Sequence, residues 1–216
     1  MSNSWLFLSF LVAYFLGVFA YAFVAWRKLH EDYISSLFFA IAFKIAFIST
    51  IFALISHFLI RSRIAQSSVL NPNGLWFWGA VVGFICSLIY LQKKNHLRIY
   101  EIFDAFGMGL VWWYLIFLLP QILIFQSINN LVVVGGLIVT LGLYEFFQKN
   151  YRKFSWYKSG KVGFSVLLAI GIFFLFRSII AITDLSVISF VGKLDSVLSA
   201  SVAFLMFYSL YNLSQS

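Results

Sequence analysis

Six ionisable side chains interrupt stretches that are otherwise apolar: Lys44, His57, Asp104, Glu145, Arg177 and Asp184. A charge among hydrocarbon side chains is costly, and where one stands it usually has a partner or a task. Arg177 is the sharpest case. It is preceded by Gly171-Ile172-Phe173-Phe174-Leu175-Phe176 and followed by Ser178-Ile179-Ile180-Ala181-Ile182. It lies some seven residues, roughly 10 Å at helical rise, from the nearer end of its run, a long reach for snorkelling. A buried guanidinium asks for a carboxylate or a phosphate. A structural partner would be Glu145, Asp184 or helix carbonyls; a functional one would be a phospholipid headgroup. Depth favours Asp184 or a lipid phosphate, because Glu145 stands near the opposite end of its own run.

The other groups point less far. Lys44 and Glu145 either pair across helices or line a polar cavity. Asp104 reads as a cap at the start of a helix, where acids suit the backbone dipole. His57 reads as interfacial. Gly79 and Gly83, in Gly79-Ala80-Val81-Val82-Gly83, form a small-xxx-small pattern that lets helices pack closely, or lets a backbone approach a lipid phosphate. No H-E-x-x-H helix, G-x-S-x-G elbow or Gly-rich phosphate loop occurs, so neither a metal nor a cofactor is expected. The lone Cys86 excludes a disulfide framework.

The elements that carry these groups follow from composition. Hydrophobic residues make up 62% of the 216 and charged residues 10%, which leaves too few polar side chains to cover a surface facing water. The predicted class is an all-α integral membrane protein, a single seven-helix transmembrane bundle. Spans are predicted at about 5–26, 33–60, 74–91, 102–125, 131–147, 162–183 and 196–213, each near the ~20 residues a bilayer requires. The runs are continuous rather than alternating, which argues against a β-barrel. With the N-terminus outside, ten connector lysines and arginines fall inside and three outside. The positive-inside rule therefore predicts N-out, C-in. The net charge of +8 is then mostly topological, and no nucleic-acid partner is expected.

Several segments, in order, resemble the bacterial phosphatidylglycerol–prolipoprotein diacylglyceryl transferase family. Gly74-Leu75-Trp76-Phe77-Trp78-Gly79-Ala80-Val81-Val82-Gly83 is similar to that family's G-x-S-F-H-G-G-L-I-G segment, and Leu143-Tyr144-Glu145 to its L-Y-E motif. Tyr14 and Gly17 with the basic exit Arg27-Lys28 resemble its first span, and Gly171 to Arg177 its G-x-x-R-F helix. Trp78 stands where the family has a histidine. The stretch Gly107-Met108-Gly109-Leu110-Val111-Trp112-Trp113-Tyr114 replaces its G-R-I-G-N-F signature.

The resemblance implies transfer of a diacylglyceryl group from phosphatidylglycerol to a prolipoprotein cysteine in a bacterial plasma membrane, with glycerol phosphate leaving. It implies Arg177 and Glu145 as catalytic residues, and Arg177, Lys44, Gly79 and Gly83 as a headgroup site. The alternatives are a non-catalytic member that binds phospholipid or a membrane partner, and a transporter.

Overall fold

Seven helices account for nearly all of the described chain. The computed structural model describes residues 3–30, 35–61, 75–95, 98–125, 128–150, 163–183 and 190–215. The helices are α1 (Asn3–Leu29), α2 (Ser35–Arg61), α3 (Leu75–Asn95), α4 (Ile99–Phe125), α5 (Ile128–Asn150), α6 (Phe164–Thr183) and α7 (Phe190–Gln215). Six of them are long and apolar enough to cross a membrane. The seventh, α3, ends in the polar run Gln92-Lys93-Lys94-Asn95, which shortens its apolar part. The chain divides into two compact units, residues 1–130 with α1 to α4, and residues 131–216 with α5 to α7.

Local chemistry sets the helix ends. The last turn of α1 carries Arg27 and Lys28, which suit the negative end of the helix dipole. His30 continues that turn, with its amide donating to the Trp26 carbonyl over 2.9 Å. Asn95 and Asn150 close α3 and α5 by donating side-chain N–H to the carbonyls of Leu91 and Phe146. Gly163 precedes α6 with φ of 107°, a left-handed value that favours glycine, and its carbonyl accepts from Leu167.

Within unit 1, α1 packs antiparallel on α4 through a reciprocal arrangement. A Cβ on Gly17 would run into Trp113, and a Cβ on Gly109 would meet Tyr21 Cδ2 at 2.8 Å. Each helix thus offers a glycine and, one turn later, the aromatic ring that fills the other's gap. Tyr21 also tilts against Phe106 at 5.6 Å, and Phe106 stacks on Phe38 of α2 at 5.0 Å. The α2–α3 contact repeats the device. A Cβ on Gly79 would strike Ser56 and lie 2.5 Å from the Phe52 carbonyl, and one on Gly83 would lie 2.8 Å from Phe52 Cβ. Lipid tails are as apolar as leucine, so close backbone approach and dispersion drive this association rather than water exclusion.

Unit 2 is a three-helix arrangement. Phe147 of α5 meets Phe164 of α6 edge-on at 6.1 Å, and the gap at Gly171 of α6 is filled by Phe207 and Met206 of α7.

In both units the surface is apolar. Phe15, Phe19, Leu123 and Phe204 are all more than 60% exposed. Such faces would aggregate in water and are what a lipid-solvated helix presents. Hydroxyls within the helices donate to carbonyls three or four residues back, as Ser87 does to Phe84 and Thr140 to Gly136. That is how a hydroxyl is satisfied where water is absent.

Candidate functional site

Among the described residues two places stand out, a buried polar seam in unit 2 and an apolar cavity in unit 1. In unit 2, Arg177 of α6 and Asp195 of α7 form an ion pair, with Nη2 donating to Oδ1 over 3.1 Å and Nε to the same oxygen over 3.3 Å. The two side chains are 2% and 1% exposed, so the pair is wholly inside the unit. The next residue on each helix continues the seam. Ser178 Oγ donates to the Ser196 carbonyl over 3.1 Å, and Ser196 Oγ donates to the Ser178 carbonyl over 3.3 Å. One turn beyond Asp195 lies Ser199, also fully buried.

Asp195 is the partner that sequence reasoning misses. The apolar pattern predicts a last span beginning at Ser196, with Lys193 and Asp195 in a connector, whereas α7 begins at Phe190 and carries both. A carboxylate can sit inside an apolar helix when an arginine compensates it, and Arg177 is itself the available signal. Asp184, the expected partner, lies outside the described residues.

The remaining expected site residues are dispersed. Glu145 is exposed on α5, and no hydrogen bond or ion pair joins it to Arg177 among the described residues. Lys44 is exposed on α2, on the face it shares with Phe43 and Phe47, while Ile41, Ala42, Ile45 and Ala46 form the buried face. Gly79 and Gly83 are packed against Ser56, Phe52 and Ser49 of α2, so helix packing takes up their open faces. His57 belongs to α2, but its side chain lies outside the described residues.

Asp104 does not cap α4. That helix starts at Ile99, three residues earlier than expected, which puts Asp104 in the second turn. Its Oδ2 accepts from Lys28 Nζ of α1 over 2.8 Å, with both side chains mostly buried. Glu101 holds the first turn and pairs with Arg98 over 3.0 Å. Among the described residues no cluster of three or more His, Cys, Asp or Glu side chains could hold a metal.

The second place is a cavity of about 250 Å³ within unit 1. All four helices contribute to it: Tyr14 from α1, Thr50 and Ala53 from α2, Phe77 and Ala80 from α3, Leu110 and Trp113 from α4. No charged residue lines it, and its wall is almost entirely carbon. A polar contact crosses it, Tyr14 Oη to Thr50 Oγ1 at 2.7 Å. The cavity exists because Ala53 and Ala80 stand where a larger side chain would fill the space. The glycine contacts hold α1 on α4 and α2 on α3 and fix its walls.

A carbon-lined space of this size, half open at its side, suits hydrocarbon better than water. It offers no cation that could hold a phosphate ester. Sequence reasoning does not find it, because its lining is a pattern of small and aromatic residues spread over four helices rather than a motif. Comparison of the chain with protein-family models, with curated proteins and with solved structures gives no match.

Proposed function

We propose that this chain is a multi-pass membrane protein that binds membrane lipid by its hydrocarbon, in the cavity between α1, α2, α3 and α4. The observation that carries the reading is the cavity itself, about 250 Å³ with no charged residue in its lining. In a protein whose outer faces are apolar, hydrocarbon is the solute at hand, and a carbon-lined space gains by taking it up. The protein is read as spanning a bacterial plasma membrane seven times, N-out and C-in, with α3 as the shortest span. The tightly packed glycines of α1 to α4 and the ion pair Lys28–Asp104 are then the scaffold that keeps the cavity open, while Arg177–Asp195 holds α6 on α7.

The test fills the cavity. Ala53→Phe places a ring where the wall is now a methyl group. The purified wild-type protein should retain lipid that native mass spectrometry detects, and Ala53→Phe should lose it while keeping its helicity and monodispersity. Equal lipid retention by the two proteins would overturn the reading.

One observation favours the transferase chemistry that the motif order implies, namely that Arg177 is buried in α6 where the resemblance expects a cation. On that reading a phosphatidylglycerol headgroup would take Asp195's place on the guanidinium, and a prolipoprotein cysteine would receive the diacylglyceryl group. Purified protein given phosphatidylglycerol and a lipobox peptide should then release glycerol phosphate, and Arg177→Lys should slow the release at least tenfold. Absence of release from the wild type rejects this second reading and leaves lipid binding standing.

A further inference from the structure

The hydroxyl groups at the cavity wall can be assigned their protons. Ser49 Oγ donates to the Ile45 carbonyl, and Thr50 Oγ1 donates to the Ala46 carbonyl, each over 2.8 Å. A carbonyl cannot donate and a hydroxyl has one proton, so both serine and threonine protons are spent. In the 2.7 Å contact between Tyr14 and Thr50, Thr50 therefore accepts and Tyr14 donates. The chain of bonds runs one way, from Tyr14 to Thr50 to the backbone of α2. What these three side chains leave over is lone pairs, two on Tyr14 Oη, two on Ser49 Oγ and one on Thr50 Oγ1. The indole Nε1 edge of Trp113 is turned onto α1 at Gly17, and Tyr114 packs its ring on Phe77 at 5.1 Å.

This polarity selects among lipids. A phosphate or an ionised carboxylate entering the cavity would meet no cation and would lose its hydration unreplaced. An ammonium would meet no carboxylate. An ester or ketone carbonyl brings only acceptors to a wall whose spare atoms at Tyr14 and Thr50 are acceptors too. A neutral hydroxyl brings the donor that Tyr14 and Thr50 lack and carries no charge.

On the strength of the hydrocarbon-binding reading, we propose that the cavity of unit 1 is a site for a single-chain lipid alcohol whose hydroxyl donates to Tyr14. The volume fits this ligand, since it amounts to the liquid volume of about eight waters, room for one chain segment and a small head.

The experiment uses the full-length protein in phosphatidylcholine nanodiscs with a diazirine-bearing twelve-carbon alcohol as photoprobe. Labelled peptides are mapped by mass spectrometry and labelling is competed with 1-dodecanol, dodecyl methyl ether and farnesol. The wild type should be labelled at the α2 and α4 segments that line the cavity. Dodecanol should outcompete its methyl ether by about two- to tenfold, the worth of one net hydrogen bond. The farnesol arm reports whether a straight or an isoprenoid chain fits better, and an advantage of either alcohol over the ether supports the proposal.

Two variants sharpen the test. Tyr14→Phe should keep the labelling and lose the preference. Thr50→Val removes Tyr14's acceptor and frees its proton, which an alcohol or an ether oxygen accepts equally, so the preference should shrink. Labelling of the cavity without preference in the wild type, or a preference that survives Tyr14→Phe, would overturn this proposal alone. Absence of labelling in the cavity would overturn the hydrocarbon-binding reading with it.

Discussion

Arg177 and Asp195 face one another across the α6–α7 contact, with both guanidinium bonds converging on the single oxygen Oδ1. The pair is buried on both sides. Charges so placed have given up their hydration, and each is tolerable only because the other is there.

Removing one partner should therefore cost far more than removing both. Asp195→Ala is expected to destabilise the protein by about 3–5 kcal/mol, because it strands the guanidinium. The double variant Arg177→Met, Asp195→Leu should recover most of that loss. Chemical unfolding in mild detergent, followed by circular dichroism, measures both. A double variant no better than Asp195→Ala would show that the pair contributes more than mutual compensation. The same double variant also separates folding from headgroup binding on the transferase reading, since it lacks the guanidinium without burying a lone charge.

The glycines divide into two groups with opposite predictions. Gly79→Ala puts a methyl group into Ser56 and the Phe52 carbonyl, whereas a Cβ on Gly135 or Gly142 would meet nothing within 4 Å. Overpacking at Gly79 should cost about 1–3 kcal/mol. Gly135→Ala should be neutral or should stabilise by about 0.5–1 kcal/mol, because alanine loses less backbone freedom in a helix. Thermal unfolding of the two variants side by side checks the contrast. A destabilising Gly135→Ala would mean that its face is covered in the native protein.

Two ion pairs near helix ends should differ in worth. Lys28–Asp104 bridges α1 and α4 with side chains 16% and 14% exposed, whereas Arg98–Glu101 is local to one helix start and Arg98 is 82% exposed. A double-mutant cycle should give a coupling above ~1 kcal/mol for the buried pair and at most ~0.5 kcal/mol for the exposed one. The exposed coupling should also fade between low and high salt, and the buried one should persist. Equal coupling energies would contradict the difference in burial.

Much of the fold is legible in the sequence because the signal is composition over length. Continuous apolar runs locate all seven helices, and basic residues mark the last turns of α1, α3 and α5. The small-xxx-small pattern at Gly79 and Gly83 announces the close packing that the structure shows. Local polarity inside apolar runs is where sequence reasoning fails. Asp195 and Lys193 read as a connector and push the expected start of α7 to Ser196, and only the three-dimensional pairing with Arg177 explains why Asp195 belongs in the helix. The cavity is illegible for a different reason. Tyr14, Thr50, Ala53, Ala80 and Leu110 are ordinary residues one at a time, and only the packing of four helices brings them to one space. Arg177 stands out in the sequence as needing an anion, but the chain offers several carboxylates, and the membrane a phosphate, without a way to choose among them.

Orientation is the expectation most directly open to test, because the protein brings a single cysteine. Cys86 is exposed and must first be replaced. In a Cys86→Ala background, Ser67→Cys reports on the connector between α2 and α3, and Lys158→Cys on the connector between α5 and α6. Four basic residues, Arg152, Lys153, Lys158 and Lys161, lie in the latter and Lys149 in the last turn of α5 before it, the densest cluster in the chain. Lysines and arginines near span ends are retained on the cytoplasmic side and attracted to its anionic headgroups. A membrane-impermeant maleimide added to intact cells should therefore label Ser67→Cys and spare Lys158→Cys, and permeabilisation should expose the second site. The reverse pattern would invert the topology. Labelling of both sites in intact cells would mean that the helices between them cross the membrane an even number of times, which would remove one of α3, α4 or α5 from the set of spans.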